Sequence, residues 1–540
     1  MLLDLLKSVA GKLARRGAVL GTTPMLAAAR SAVAGGSEGD DDVSWRAQAL
    51  YGAGEMDAAR PLYEELLRRD PDNLDVAYQL GVIYGRTNHL QPASALLERV
   101  VAMRPDSIDV LNALANVAWL QCRWRDAEQL FRHALEIQPG TVALWANLGL
   151  CLHDAGKLDM AAQALQRALE IDPGHLDALL NSAMVNIDVG QLDTGVAILQ
   201  KALQIDPHFA EAHALLAQLR LQRGDFGAGW PEYEWRFRCA DAQHRRDDAL
   251  ASWKGSADLK RNLVIYAEQG LGDQIMFTSC LPDAIARTGH CIVECDPRLV
   301  ALFAHSFPQA TFFAHNPRSG KGWAGVGARP DCHTHLGTLP ALFRKQWADF
   351  PRHEGYLKPD PARVAFWRER LAGLGVGLKI GISWRGGVPR TRHALRSIPL
   401  REWLPLLELK GHNFVSLQYG ECRGEIAELA SRPGIELPHW QEALDDYSET
   451  AALVDALDLV ISVCTSVVHL AGALGKCAWV LVPVCPEWRY LSAGDRMPWY
   501  PAVQLFRQQT LGEWQPVIAT VRDRLATAAA SQPDGIEISR

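Results

Sequence analysis

Two rhythms of hydrophobic and polar positions divide the chain. From about residue 40 to residue 240, apolar residues recur at three- and four-residue intervals, the spacing that lines one face of a helix. Beyond residue 260 the rhythm changes to short apolar runs separated by helical stretches, with candidate strands at 263–266, 291–295, 310–313, 379–383, 413–418, 459–463 and 478–482. Several of these runs offer no polar residue for a solvent face, as expected of parallel strands covered on both sides. A Pro-rich turn, a helical stretch at 362–371 and a glycine-spaced link interrupt the series. The pattern therefore predicts a helical first half and two α/β domains, 261–365 and 366–540, with helices on both faces of each sheet.

The first half carries a ruler. Pro71, Pro105, Pro139, Pro173 and Pro207 recur every 34 residues. In step with them run a small residue (Gly81, Ala115, Gly149, Ala183, Ala217), a second small residue (Ala93, Ala127, Ala161, Gly195, Gly229) and a bulky one (Leu97, Phe131, Leu165, Leu199, Tyr233). That period is the signature of a tetratricopeptide-repeat solenoid, of about six units here over 39–240. Small residues let paired helices approach, bulky ones fill the gap between neighbouring pairs, and proline stops the second helix. The last unit replaces the alanine-rich helix with Phe226, Trp230, Tyr233, Trp235 and Phe237, which should cap the stack against the next domain. A concave groove for a protein partner is one reading of such an array, and a rigid spacer or oligomerisation surface is the other. Residues 241–260 read as a linker.

Composition narrows the function classes. A formal charge of −7 over 540 residues excludes a general nucleic-acid binder, so any anion site must be local. Eleven cysteines without a C-x-x-C pair support neither a disulfide framework nor a zinc module and fit reduced thiols in a cytoplasm. Residues 1–38 form a tail whose first 30 residues carry five basic groups against Asp4. A frayed segment is favoured there over an amphipathic helix on a membrane or partner, and the uncharged run is too short to span a bilayer.

Candidate chemistry lies just after the strands. Following 263–266, Gly270 and Gly272 let the chain turn into a helix start that carries Asp273, where backbone N–H groups point at an anion. Asp273 also fits a plain helix cap. After 379–383 comes a cationic loop with Arg385, Arg390, Arg392, Arg396 and Arg401, which suits a diphosphate because arginine meets phosphate bidentately. After 459–463, Cys464, Thr465 and Ser466 open another helix that contains His469, either an anion contact or a satisfied core histidine. Gln418 ends a strand and is a candidate contact for a base or ribose, that is, a nucleoside. Glu487, Trp488, Arg489, Trp499 and Tyr500 belong to an aromatic-rich segment that walls a cleft or only packs the domain. The Cys332-His333-Thr334-His335 run lacks a second ligand cluster, so no metal is expected.

Taken as an ordered set, Gly227 to Phe237, Ala267 to Asp273, Arg396 to Leu400, Asp458 to Gly475 and Trp488 to Gln508 resemble bacterial proteins in which tetratricopeptide repeats are fused to a heptosyltransferase-like glycosyltransferase region. The resemblance implies a GT-B fold of two Rossmann-like domains. It implies metal-independent, inverting sugar transfer from a nucleotide-sugar, with no other cofactor, to an acceptor that is first of all a protein recruited by the repeats, or else lipopolysaccharide or another surface glycan. It assigns Asp273 as general base. Gly270, Gly272, Arg385, Arg396, Thr465, Ser466 and His469 are assigned to the donor diphosphate, and position 464 to the donor sugar. The family has an acidic residue there and this chain has Cys464, a departure that also admits a repeat scaffold with a degenerate transferase region.

Overall fold

The computed structural model describes residues 40–239, 250–315, 322–325, 327, 329–387, 395–432 and 434–530. The expectations for residues 1–38 and for Arg390 and Arg392 lie outside them, as does most of the first half of the proposed linker. The described chain forms two compact units, one of residues up to 212 with 238–242, the other of 213–237 with 243 onward.

Helices of 13 and 14 residues alternate along the first half: α1 (Asp40–Gly52) and α2 (Met56–Arg69), α3 (Leu74–Arg86) and α4 (Leu90–Met103), α5 (Ile108–Leu120) and α6 (Trp124–Ile137), α7 (Val142–Asp154) and α8 (Leu158–Ile171), α9 (Leu176–Asp188) and α10 (Leu192–Ile205), then α11 (Ala210–Gln222) and the shorter α12 (Phe226–Tyr233). Each repeating proline stands two residues beyond the end of a second helix, where the chain must leave the helical path. The turn inside each pair uses a left-handed residue on the same 34-residue ruler: Gly54, Asn88, Cys122, Gly156, Gly190 and Gly224. A Cβ on Gly81 would lie 2.8 Å from Leu97 Cγ, and one on Gly149 would lie 2.5 Å from Leu165 Cγ. The bulky residue thus fits into the small residue of its own pair, rather than into the gap between pairs. Leu97, Leu165 and Leu199 are fully buried by this arrangement, and burial of such a side chain contributes about 1.5–3 kcal/mol.

The second unit contains two five-stranded parallel sheets. The first comprises β1 (Ala251–Ser252), β2 (Asp258–Tyr266), β3 (Thr288–Cys295), β4 (Thr311–Ala314) and β5 (Cys332–His335), in the order β1-β5-β2-β3-β4. The second comprises β6 (Leu378–Ser383), β7 (His412–Ser416), β8 (Leu459–Val463), β9 (Ala478–Val482) and β10 (Val503–Arg507), in the order β10-β9-β8-β6-β7. Every residue of β8 and β9 is buried, which explains their uninterrupted apolar sequence.

Three short strands escape the apolar pattern. β1, β5 and β10 carry exposed or polar positions, and β5 is the Cys332–His335 run itself. The first sheet consequently begins at Ala251, inside the stretch expected to be a linker and ahead of the expected boundary at 261. The sheet orders also locate two switch points. β2 is joined by β3 on one side and β5 on the other, and β6 by β7 and β8. The crevice beyond the carboxyl ends of strands at such a reversal is where parallel sheets hold ligands.

Candidate functional site

Both switch points hold residues singled out from the sequence. Beyond β2, Ala267 to Gly270 turn the chain into α13 (Leu271–Thr278), with Gly270 as the cap and Asp273 in the first turn. Gln269 holds a left-handed backbone at φ 67°, and its Nε2 donates to the Tyr233 hydroxyl at 2.6 Å. Glu268, just before it, is buried and accepts two bonds from Arg236, at 2.8 and 2.7 Å, and a third from the Gly337 N–H at 3.0 Å. Burial raises the Glu268 carboxyl, but the Arg236 guanidinium and these hydrogen bonds outweigh it and hold the group below its ordinary range. The turn that presents Asp273 is therefore fastened by two residues from the end of the helical half, Tyr233 and Arg236. Glu268 was not singled out from the sequence; an acid two residues after the apolar run 263–266 was its signal.

Beyond β8, Cys464 and Thr465 lead into α14 (Ser466–Ala473). Thr465 does not cap this helix with its side chain; its hydroxyl lies 3.0 Å from that of Ser462. Beyond β6, Gly386 packs against the same turn, so closely that a Cβ there would lie 2.6 Å from the Cys464 carbonyl oxygen. The turns after β6 and β8 are side by side, and α13 reaches them through Gly272, where a Cβ would lie 2.8 Å from His469 Cδ2 and 3.5 Å from Ser466 Cα.

Four charged side chains then form a continuous alternating row. Asp273 Oδ1 bonds Arg489 Nη2, Arg489 Nη1 bonds Glu487 Oε2, and Glu487 Oε1 lies 2.5 Å from Arg396 Nη1. All four are largely buried, Glu487 being the most open at 29 %. Burial raises the Glu487 carboxyl, yet Arg489 and Arg396 override it and bring it down to about 2. Arg489 stays firmly cationic because Asp273 and Glu487 outweigh its burial. Glu487 and Arg489 were visible only as members of an aromatic segment. Their partners lie 91 and 216 residues away in the chain, so no local pattern could pair them.

Several expected site residues serve other ends. Gln418 is buried, and its Oε1 accepts from the Trp384 and Arg385 N–H groups at 3.0 and 2.8 Å while its Nε2 donates to the Arg385 and Tyr419 carbonyls at 3.1 and 2.9 Å. With its amide occupied in locking the ends of β6 and β7 together, it is not a nucleoside contact. His469 is a packed histidine, its Nδ1 3.2 Å from the Tyr500 hydroxyl. Burial and then Arg489 lower it from 6.5 to about 3, so it offers an anion no charge. Gly272 serves the close helix contact rather than a phosphate. Arg385 pairs with Glu425 of α15 (Arg423–Ala430) at 2.8 Å, away from the charged row. The Cys464 thiol is buried, and burial, aided by Glu487, raises it to about 12, so it is a neutral group with no carboxylate character. Asp273, Arg396, Gly270, Thr465 and Ser466 remain together at the two switch points. Among the described residues, no three His, Cys, Asp or Glu side chains converge as metal ligands, and no helix is long and apolar enough to cross a membrane.

These observations define an N-terminal array of tetratricopeptide repeats followed by a region of parallel sheets. Tetratricopeptide-repeat family profiles match residues 50–117, 106–173, 152–219 and 186–228. The chain is similar to Protein FlbA of Caulobacter vibrioides, at 35 % identity over 331 residues, which is 58 % of this chain and 55 % of that protein. It thus spans about half the length of the curated relative it matches. Among solved structures, the repeats resemble MamA (22 % identity, 31 % of this chain and 96 % of the other, TM-score 0.28) and TTC0263 of Thermus thermophilus (22 %, 34 % and 100 %, TM-score 0.31). They also resemble YrrB, described as a tetratricopeptide-repeat protein with an unusual peptide-binding site (22 %, 35 % and 97 %, TM-score 0.28). Repeats of this class typically bind peptides or proteins.

Proposed function

We propose that the chain is a glycosyltransferase of GT-B type that moves a sugar from a nucleotide-sugar to a hydroxyl of a protein held by its repeats. The observation that carries this reading is the joint position of Asp273 and Arg396, which stand in one charged row beyond the carboxyl ends of two parallel sheets. In the reaction, the acceptor oxygen bonds to the anomeric carbon and the bond from that carbon to the donor diphosphate breaks, its electron pair leaving on the diphosphate. The acceptor proton passes to the Asp273 carboxylate. Arg396 and the backbone N–H groups at Thr465 and Ser466 offset the charge of the departing diphosphate. A cytoplasmic setting, where thiols stay reduced, accords with eleven free cysteines.

The neutral, buried Cys464 favours a second reading, a repeat scaffold that has lost transfer, because the resemblance places an acid at that position. Thermal denaturation of the full chain with UDP-, ADP-, GDP- and CMP-sugars separates the two. A rise in the unfolding midpoint with one donor class is expected. With that donor, Asp273→Asn should still be stabilised but lose turnover. Turnover equal to that of the parent chain would refute the base assignment, and stabilisation by no donor would leave the scaffold.

A further inference from the structure

The charged row sets two guanidinium groups against two carboxylates. Its middle carboxylate is placed as a phosphate would be. One oxygen of Glu487 meets an N–H of Arg396 and the other an N–H of Arg489, so a phosphate lying in its place meets the same two cations. Arg489 has capacity to spare for it. Its side chain is 10 % exposed, it lies over the Trp488 ring at 5.5 Å, and its buried Nε finds no hydrogen-bond partner. An unsatisfied buried N–H is costly, and a ligand oxygen would relieve that cost. Adding a diphosphate to a buried row that is already neutral would leave excess negative charge, which forces carboxylates off the arginines.

The two carboxylates differ in how they tolerate release. Glu487 is the most exposed member and can turn to water. Asp273 sits in the first turn of α13, where the helix dipole continues to favour its charge after Arg489 has left. While paired, an Asp273 oxygen is occupied by an Arg489 N–H and is not open to an acceptor hydroxyl.

We propose that Arg489 is a ligand of the donor diphosphate that exchanges Asp273 and Glu487 for phosphate oxygens, so that donor binding releases the Asp273 carboxylate toward the acceptor. The inference rests on the glycosyl-transfer reading. It makes Glu487 an internal occupant of the phosphate site and places the donor before the acceptor in the order of binding.

Calorimetric titration of the full chain with UDP, GDP and ADP tests it, using Asp273→Asn, Arg489→Gln and the double variant. For the nucleotide that binds the parent chain, Arg489→Gln should bind roughly tenfold or more weakly, and Asp273→Asn roughly three- to tenfold more tightly because a competitor for Arg489 is gone. The double variant should bind as weakly as Arg489→Gln. A double variant that regains the full Asp273→Asn gain would show simple charge repulsion and overturn the exchange. If Arg489→Gln does not fold by circular dichroism, Arg489→Lys replaces it in the same cycle: an Asp273→Asn gain that disappears in the Arg489→Lys background supports the exchange, and a gain that persists there in full rejects it. Binding to the parent chain without tightening in Asp273→Asn removes the exchange and spares the transferase reading, whereas no binding of any of the three nucleotides removes both.

Discussion

Glu268 and Arg236 illustrate what a buried charge asks of its neighbours. Each is satisfied by the other and by a few fixed polar groups, so removing one side leaves an uncompensated charge in the interior. Glu268→Gln should therefore destabilise the second unit by about 3–5 kcal/mol, measurable as a shift in denaturant midpoint. His469 predicts a pH dependence. Its folded form is held neutral down to about pH 3 against an ordinary 6.5, so the unfolded chain binds one more proton between those values. Its contribution to stability is full above pH 6.5 and lost as pH falls toward 3. Glu487, held near 2, adds a loss of the same sign below its ordinary 4.5. Half-buried His353 and His412 are also lowered, so the comparison that isolates His469 is the pH profile of the unfolding midpoint in His469→Gln, which should be shallower. At Gly272 even a methyl group lacks room. Gly272→Ala should cost about 1–3 kcal/mol by pressing on His469, read by the same melts. At this scale the sequence was informative about which residues follow a strand and uninformative about which of their hydrogen-bonding groups are already occupied. Asp273 and Arg396 were legible for the first reason. For the second reason the occupied amide of Gln418 was not visible, and His469 could not be placed between the anion and core roles left open for it.

Helices and turns were legible wherever a period enforced them. The 34-residue spacing of Pro71 to Pro207 located the ends of five second helices, α2, α4, α6, α8 and α10, because proline acts through its own backbone, without reference to distant residues. The left-handed turn positions follow the same spacing but were hidden, since Asn88 and Cys122 break the glycine series. Cys122 holds φ 60° with a side chain that disfavours it. Cys122→Gly should raise the stability of the array by about 0.5–1 kcal/mol, the relief of left-handed strain exceeding the added freedom of the unfolded chain. A higher midpoint in chemical denaturation checks this, and an unchanged or lower one refutes it. Strands buried on both faces, β8 and β9, matched their apolar runs to the residue. β5 and β10 did not, because pairing with a neighbouring strand rather than an apolar sequence makes them strands.

For the molecule as a whole, the division that matters falls inside the last repeat. Residues 213–237 belong with the sheets, and the contacts show why. Trp230 donates to the Arg344 carbonyl at 2.7 Å and packs edge-on against Trp488, with ring centroids 5.6 Å apart. Tyr233 is fully buried near Phe277 and Trp488. A chain truncated to begin at residue 207 should unfold cooperatively, whereas one beginning at residue 241 should not fold, since it strips Arg236 from Glu268 and uncovers these rings. Circular dichroism melts of the two truncations compare them directly, and a cooperative melt of the shorter one would refute this assignment. The aromatic sequence after Phe226 announced a cap for the stack, but not that it would hold the turn carrying Asp273. That role depends on Arg236 meeting an acid 32 residues later.

The clamp between Arg236 and Glu268 also bears on how such a chain can diversify. Whole 34-residue modules upstream of α11 can be gained or lost by recombination without touching the residues that shape the glycine turn. Array length is thereby an adjustable dimension, while α12 travels with the sheets as a connector that must be copied intact.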